Sequence, residues 1–173
     1  MVRKPNIMYR NVEGPSYTRK EYMGGIPNLR IQQFEAGDLK GNFSVELALN
    51  VKEACQIRHT AMEAARITLN RYLTKSIGAT NYHSKFRIYP HQILRENKMA
   101  TGAGADRISS GMQRAFGKAV GMAARVRVGQ TVLTLYVNPE HVEFGKEALR
   151  KASMKLPSPC KTEVVKGLKL IKK

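Results

Sequence analysis

The stretch Phe43-Ser-Val-Glu-Leu-Ala-Leu-Asn50 alternates apolar and polar side chains, which is the pattern of a β-strand with one buried face. A helical pattern follows almost at once, from about residue 53 to residue 76, and Gly78 stands where a C-cap glycine is expected. The apolar stripe of this helix consists of Ile57, Ala61, Ala64, Ala65, Thr68, Leu69, Tyr72, Leu73 and Ile77. A strand and a helix that each carry one apolar face predict helices packed on a sheet.

Further strands are predicted on both sides of these elements. The short apolar run 29–34 indicates a strand before the first one. Residues 82–95 indicate a pair of strands broken at Tyr89-Pro90, with Phe86 and Ile88 pointing inward.

A second pair of strands is predicted around a turn at Gly129. Its first strand has Val126 and Val128 on one side, and its second strand covers residues 131–137. Asn138 is a suitable N-cap for the next helix, and Pro139 fits the first helical position, where its missing N–H has no consequence. This helix extends to about residue 155 and is predicted to bury Val142, Leu149 and Ala152.

The net charge of the chain constrains its partners most strongly. Thirty lysines and arginines stand against thirteen aspartates and glutamates in 173 residues, which gives a formal net charge of +17 and a pI near 10.2. A small domain usually carries a net charge of ~2–8, because like charges repel one another in the compact state. Such an excess predicts a polyanionic partner, and nucleic acid releases counterions when Lys and Arg replace them.

Composition divides the chain into three parts. Residues 1–28 are basic, rich in Gly and Pro, and without periodicity, which indicates an extended N-terminal arm. Residues 29–156 indicate a single α+β domain, and residues 157–173 indicate a basic C-terminal tail with a short strand around 162–165. Within the domain, the Gly- and Ala-rich residues 97–112 have no clear period, which predicts a flexible functional loop.

Patterns that catalysis or metal binding requires are missing from the sequence. Gly102-Ala-Gly-Ala-Asp-Arg107 has arginine where the third glycine of a dinucleotide motif would stand. Cys55 and Cys160 lie far apart and the four histidines are scattered, so no zinc site is expected. Neither a secretory signal segment nor an apolar run that could span a membrane is recognisable. We therefore expect an intracellular protein that is not an enzyme, without cofactor, metal, small-molecule substrate or membrane partner.

The distribution of the basic residues favours RNA over a single DNA groove. They occur on helix, strand, loop and both termini, which suits contact with several surfaces of a folded RNA. An RNA-modifying enzyme and a DNA-packaging basic protein are the alternatives. The expected RNA contacts are Arg3, Lys4, Arg10, Arg19, Lys20, Arg58, Arg66, Arg71, Lys85, Arg87, Lys98, Arg107, Arg114, Lys118, Arg125 and Arg127.

Several segments resemble one known family. They are Met62-Glu-Ala-Ala-Arg-Ile-Thr-Leu-Asn-Arg-Tyr72, Lys85-Phe-Arg-Ile-Tyr-Pro90, and Gly117-Lys-Ala-Val-Gly121 leading to Ala124-Arg-Val-Arg-Val-Gly-Gln130. They are similar to the universal large-subunit ribosomal protein family, called L-sixteen in bacteria and L-ten-e in archaea and eukaryotes. The N-terminal Met8-Tyr-Arg10 and Gly14-Pro-Ser-Tyr17 resemble the archaeal type.

The resemblance implies a fold and a place of action. The fold is α+β, with two main helices on a mixed or antiparallel sheet and a hammerhead-like β-hairpin. The implied function is that of a structural constituent of the cytoplasmic large ribosomal subunit, bound to large-subunit rRNA near 5S rRNA and the aminoacyl-tRNA site. The loop at 98–112 would point toward the tRNA and peptidyl-transferase region, with neighbouring ribosomal proteins as further partners.

Overall fold

The structure, a computed structural model, describes residues 7–10, 12 and 20–171, apart from the side chains of residues 7, 8, 20 and 171. The strands are β1 (Glu35–Gly37), β2 (Val45–Val51), β3 (Cys55–Arg58), β4 (Tyr82–Phe86), β5 (Gln92–Glu96), β6 (Lys118–Val126), β7 (Thr131–Val137) and β8 (Cys160–Lys166). The α-helices are α1 (Ile7–Arg10), α2 (His59–Ile77), α3 (Ala105–Ile108), α4 (Val142–Ser153) and α5 (Leu168–Ile171), and 3-10 turns occupy Lys20–Tyr22 and Pro139–His141. The predicted α+β class is confirmed.

The larger sheet has five antiparallel strands in the order β1-β4-β7-β2-β8. Leu47 of β2 lies opposite Leu135 of β7, and both are fully buried. Helix α4 approaches this face closely at Gly145, where an added Cβ would lie 2.9 Å from Leu47 and 3.3 Å from Leu135. The absence of a side chain at Gly145 therefore lets the helix sit directly on the centre of the sheet.

Helix α2 also contributes side chains to this core. Met62, Leu69 and Leu73 are fully buried, and Met62 is a core residue that the predicted stripe omitted. The two long helices also contact each other, where the Lys151 ammonium lies 3.5 Å from the centre of the Tyr72 ring. The predicted packing of two main helices on a sheet is thus present.

The smaller sheet has three antiparallel strands in the order β3-β6-β5. Ile57, Met122 and Val126 are buried on one of its faces. Directly opposed residues of an antiparallel pair share a face, so Arg58, which pairs with Ala123, shares the other face with Arg125. This sheet therefore has one apolar face and one face that carries arginines.

The prediction of a strand over residues 29–34 is wrong. These residues have no regular structure, although Ile31 is fully buried as its apolar character suggests. The Arg30 N–H donates to Nδ1 of His59 at 2.9 Å instead of to a neighbouring strand. The His59 side chain, which lies far along the chain, thus accepts the hydrogen bond that a neighbouring strand would have accepted from residue 30.

The predicted start of the long helix is also wrong. Helix α2 begins at His59, and the preceding residues form β3, so Cys55 lies in a strand and not at the start of a helix. Cys55 pairs with Val126, and Cys55 and Ile57 are both buried. A run of four buried or half-buried residues fits either element locally, and only the distant β6 decides between them.

The strands predicted within 82–95 and over 131–137 are confirmed, but their predicted pairings are wrong. Strand β4 pairs with β1 and β7, whereas β5 pairs with β6. Strands β6 and β7 follow each other around Gly129 but belong to different sheets. Val128 is 68% exposed in this connection and does not share the burial of Val126.

The last part of the chain follows the predicted pattern closely. Val142, Leu149 and Ala152 are buried as expected, although Pro139–His141 form a 3-10 turn and α4 begins only at Val142. Asn138 stands before that turn, but its side chain makes no capping hydrogen bond. The short strand expected around 162–165 is confirmed as the longer β8, at the edge of the five-stranded sheet beside β2.

Candidate nucleic-acid interface

A cleft of about 680 Å³ opens at the start of α2, beside the three-stranded sheet. Its described lining contains the cations Arg30 and Arg58 and no carboxylate. The lining residues are Pro27, Asn28, Leu29, Arg30, Gln32, Arg58, His59, Thr60 and Val120. A concave surface of this charge suits an anionic ligand.

His59 is a buried polar group in the wall of this cleft. It is 5% exposed, and its Nδ1 accepts the Arg30 N–H, so the neutral ring carries its proton on Nε2. Burial lowers the pKa of His59, and the charges of Arg58 and Arg30 lower it further. The ring is therefore neutral at pH 7 and adds a donor without adding a charge.

Two further clefts have the same electrostatic character. One of about 360 Å³ is lined by Tyr9, Arg58, Thr60, Ala61, Lys155, Leu156 and Pro157. Another of about 500 Å³ is lined by Val12, Ala54, Arg125, Val126, Arg127 and Gln130. Each contains two cations, and the part of each wall that the structure describes has no acid.

The segment between β5 and β6 is a second exposed basic region. Lys98, Arg107 and Arg114 are exposed on it, and Lys118 is exposed where β6 begins. The segment contains the single helical turn α3, which the sequence did not predict, and β6 begins directly after the segment. Ile108 is 82% exposed here, so little apolar burial holds the segment to the body.

The base of this segment is closed by a tight backbone contact. An added Cβ at Gly117 would lie 2.7 Å from the carbonyl carbon of Glu96, so only glycine fits there. Beside it, the Arg95 guanidinium lies 4.2 Å from the centre of the Phe116 ring, a cation–π contact. These contacts hold the two ends of the segment close together where it leaves the three-stranded sheet.

Other predicted RNA contacts already have partners within the fold. Lys85 forms an ion pair with Glu35, and Arg87 donates to the Tyr136 hydroxyl at 2.7 Å and to Thr134 Oγ1 at 3.0 Å. The hydrogen bond from Lys85 lowers the pKa of the Glu35 carboxyl. These side chains lie on the face of the five-stranded sheet that points away from the helices.

Arg66 on α2 is partnered in the same way. Its guanidinium contacts the Glu63 carboxylate at 2.7 Å and Gln33 at 3.1 Å. The hydrogen bond to Glu63 raises the pKa of Arg66. Arg71, on the same helix, is exposed, and no ion pair is formed by it within the described residues.

The structure brings only some of the predicted residues together. Arg58, Arg125 and Arg127 line the clefts, whereas Arg10 is exposed at the end of α1. Outside the described residues or side chains lie Arg3, Lys4, Arg19 and Lys20. Cleft residues that the sequence did not single out for binding are Arg30, His59, Thr60 and Lys155. Their role depends on the contact between β3, the start of α2 and residues 27–32, for which the sequence has no local signal.

No metal or membrane element emerges from the described part of the chain. Within it, no cluster of three or more His, Cys, Asp and Glu residues could hold a metal ion. Both cysteines are free thiols, and burial raises the pKa of Cys160 to about 11. Among the helices that the structure describes, none is long and apolar enough to cross a membrane.

Comparison with known proteins identifies the class of this α+β protein with basic clefts. Residues 12–163 match the model of the family described as ribosomal protein L16p/L10e. The chain belongs to this family, and the resemblance stated from the sequence is confirmed.

Its relatives include archaeal proteins named large ribosomal subunit protein uL16. The one from Methanocella arvoryzae is 57% identical over 99% of this chain and 100% of its own. Those from Methanosphaerula palustris and Archaeoglobus fulgidus are 58% and 54% identical, over 93% and 99% of this chain and 93% and 98% of their own. Each is named as a ribosomal protein and not as an enzyme.

Proposed function

We propose that this chain is a structural constituent of the cytoplasmic large ribosomal subunit and binds large-subunit rRNA. The observation that carries the proposal is the set of three clefts whose described walls contain cations and no carboxylates. A net charge of +17 requires a polyanion to neutralise it, and rRNA is the polyanion that a ribosomal protein meets.

The α+β body docks as a rigid unit, and its cations replace counterions on RNA phosphates. The contacts come from the cleft residues Arg58, Arg125 and Arg127, and from Lys98, Arg107, Arg114 and Lys118 between β5 and β6. The remaining predicted contacts, at residues 3, 4, 10, 19, 20, 66, 71, 85 and 87, complete the interface from the arm, α2 and the five-stranded sheet. Lys85, Arg87 and Arg66 would have to share their present partners with RNA, so their contributions are the smaller ones.

The finer placement in the subunit follows from the family resemblance. The rRNA site lies near 5S rRNA and the aminoacyl-tRNA site, and the flexible loop at 98–112 points toward the tRNA and peptidyl-transferase region. A basic arm at 1–28 and a basic tail at 157–173 enter crevices of the RNA, and neighbouring ribosomal proteins cover part of the body at 29–156. From the same resemblance we propose that the fold includes a hammerhead-like β-hairpin.

Sedimentation of a cell extract tests the proposed function. The chain should travel with the large ribosomal subunit at low salt and leave it only at high salt, because many counterions are taken up on dissociation. A chain that sediments alone at low salt would refute the proposal. Purified chain should also prefer structured rRNA to duplex DNA in competition, and the opposite preference would favour a DNA-packaging protein.

A further inference from the structure

Two of the basic clefts share a wall. Arg58 and Thr60 line both the cleft of about 680 Å³ and the cleft of about 360 Å³. Arg58 is the last residue of β3, and Thr60 is the second residue of α2. The start of α2 therefore borders both clefts, and we call Arg58, His59 and Thr60 the ridge.

This ridge is unusually positive for the beginning of a helix. Helix α2 has 19 residues, no acid in its first turn, and Arg58 in its N-cap position without a side-chain capping bond. The first N–H groups of a helix have no intrahelical acceptor, and they carry the positive end of the helix dipole. The positive charge of Arg58 beside the positive end of the α2 dipole is electrostatically unfavourable in the free protein. An anion bound between Arg58 and the first N–H groups of α2 would make this arrangement favourable.

One side chain at the ridge holds a buried donor that no described residue accepts. The Nε atom of Arg58 is buried and lacks a hydrogen-bond partner in the described part of the chain. His59 beside it is 5% exposed, and its Nδ1 is occupied by the Arg30 N–H. Buried donors are nearly always paired in proteins, so the Arg58 Nε indicates a missing acceptor.

We propose that the two clefts form one track for single-stranded RNA, with an unpaired nucleotide in each cleft and the linking phosphodiester at the start of α2. Arg58 and the first N–H groups of α2 bind the phosphate, while Arg30 and Lys155 lie on the outer walls. The proposal rests on the proposed function and names the form of RNA that this face takes.

The dimensions and the lining of the clefts support a nucleotide. Volumes of about 680 and about 360 Å³ fall within the ~300–1,000 Å³ typical of sites for small organic ligands. Tyr9 is an aromatic side chain in the smaller cleft, where a base can stack on it. A helical RNA duplex keeps its bases paired inside and cannot place one in each cleft.

The test uses the full-length chain and the dinucleotide uridylyl-uridine as the probe. Titration of the chain with this dinucleotide, followed by NMR, should shift the amide signals of His59, Thr60 and Ala61 until they saturate. Uridine, which has no phosphate, should shift these signals far less. Arg58→Gln should weaken binding about tenfold, because a charge-assisted hydrogen bond to phosphate is lost. Lys75→Gln removes a charge from an exposed position of α2 about 25 Å away and should alter binding less than about twofold.

Two more variants keep the test independent of the folding of the Arg58 variant. Tyr9→Ala removes the aromatic ring, and Lys155→Gln removes a cation beyond α4; each should weaken dinucleotide binding about threefold. Equal shifts with uridine and dinucleotide would overturn the proposal, as would equal losses in the Arg58 and Lys75 variants. Displacement of the dinucleotide by a short RNA duplex would overturn the single-stranded part.

The outcome is separable from that of the proposed function. Sedimentation with the large subunit does not depend on the dinucleotide. A chain that sediments with the subunit but leaves these amides unshifted would overturn the track alone. A chain that binds the dinucleotide but never sediments with the subunit would overturn the ribosomal proposal instead.

Discussion

The two sheets of this protein differ in what their charged residues contact. On the outer face of the five-stranded sheet, Glu35 pairs with Lys85, Glu163 with Lys161 at 3.0 Å, and Glu46 with Lys166 at 3.6 Å. Beside the three-stranded sheet, the described walls of three clefts contain cations and no acids.

This difference shows that basic residues are not equivalent in a chain with a large positive charge. Where a carboxylate lies beside a cation within the fold, the cation is already compensated, and an exposed pair of this kind adds little to stability. Where no carboxylate lines a cleft, its surface stays positive and attracts an anionic partner. The expectation is a division of labour. The five-stranded sheet with its helices mainly stabilises the fold, while the three-stranded sheet and the segment between β5 and β6 make the larger RNA contacts.

Leu135→Ala should have the largest effect, because it opens a cavity between the five-stranded sheet and α4. The free energy of unfolding should fall by ~2–5 kcal/mol, measured by urea denaturation. Ile108→Ala, at an 82% exposed position, is the control and should change stability by less than ~0.5 kcal/mol. RNA affinity of folded Leu135→Ala protein should stay unchanged, and a large loss of affinity would contradict the division of labour.

Gly117→Ala should affect the three-stranded sheet selectively. The added methyl group would lie 2.7 Å from the Glu96 backbone, so β5 and β6 must separate, at a cost on the order of 1–3 kcal/mol. Hydrogen exchange should quicken at amides of β5 and β6 and stay slow in β2 and β7. Gly24→Ala is the matched control, since its added Cβ would meet nothing within 4 Å. Equal loss of protection in both sheets would show that they are one cooperative unit.

Paired substitutions on the two regions compare their contributions to RNA binding. Arg107→Gln with Arg114→Gln should lower the slope of log affinity against log salt by about 2. Arg150→Gln with Lys151→Gln removes the same charge from α4 on the five-stranded sheet, where both cations pair with Glu147, and should change the slope by less than about 1. Filter binding to an rRNA fragment over a series of salt concentrations measures both, and equal slopes would remove the distinction between the sheets.

The smallest expected effect is a pH dependence from His59. Its pKa lies below the usual 6.5 because of burial and the nearby Arg58 and Arg30 charges, so the unfolded chain binds a proton more readily than the native one. Native stability from this group is therefore complete above pH 6.5 and is lost as the pH falls through 6.5 toward the lowered value.

The matched variant His59→Gln keeps an acceptor for the Arg30 N–H but cannot titrate. The urea midpoint of His59→Gln should fall less between pH 7.5 and 5 than that of the wild type. Parallel curves for the wild type and His59→Gln would show that the buried ring does not titrate in this range.

Local patterns predicted the elements whose apolar residues repeat along a single face. The alternation at 43–50 marked β2, and the stripe through Leu69 and Leu73 marked α2. The run 29–34 and the segment around Cys55 failed because their backbone partners lie far along the chain: the Arg30 N–H bonds to His59, and Cys55 pairs with Val126.

The sequence by itself determined the charge of +17, the two long amphipathic elements and the family, because composition and short-range periodicity are written along the chain. The tertiary structure alone decided which strands share a sheet and which cations meet a carboxylate. Arg87 and Arg58 look alike in the sequence, yet Arg87 bonds to Tyr136 while the buried Nε of Arg58 has no partner among the described residues. The physical reason is that a side chain's partner is set by distance in space, and β-pairing joins residues that are remote along the chain.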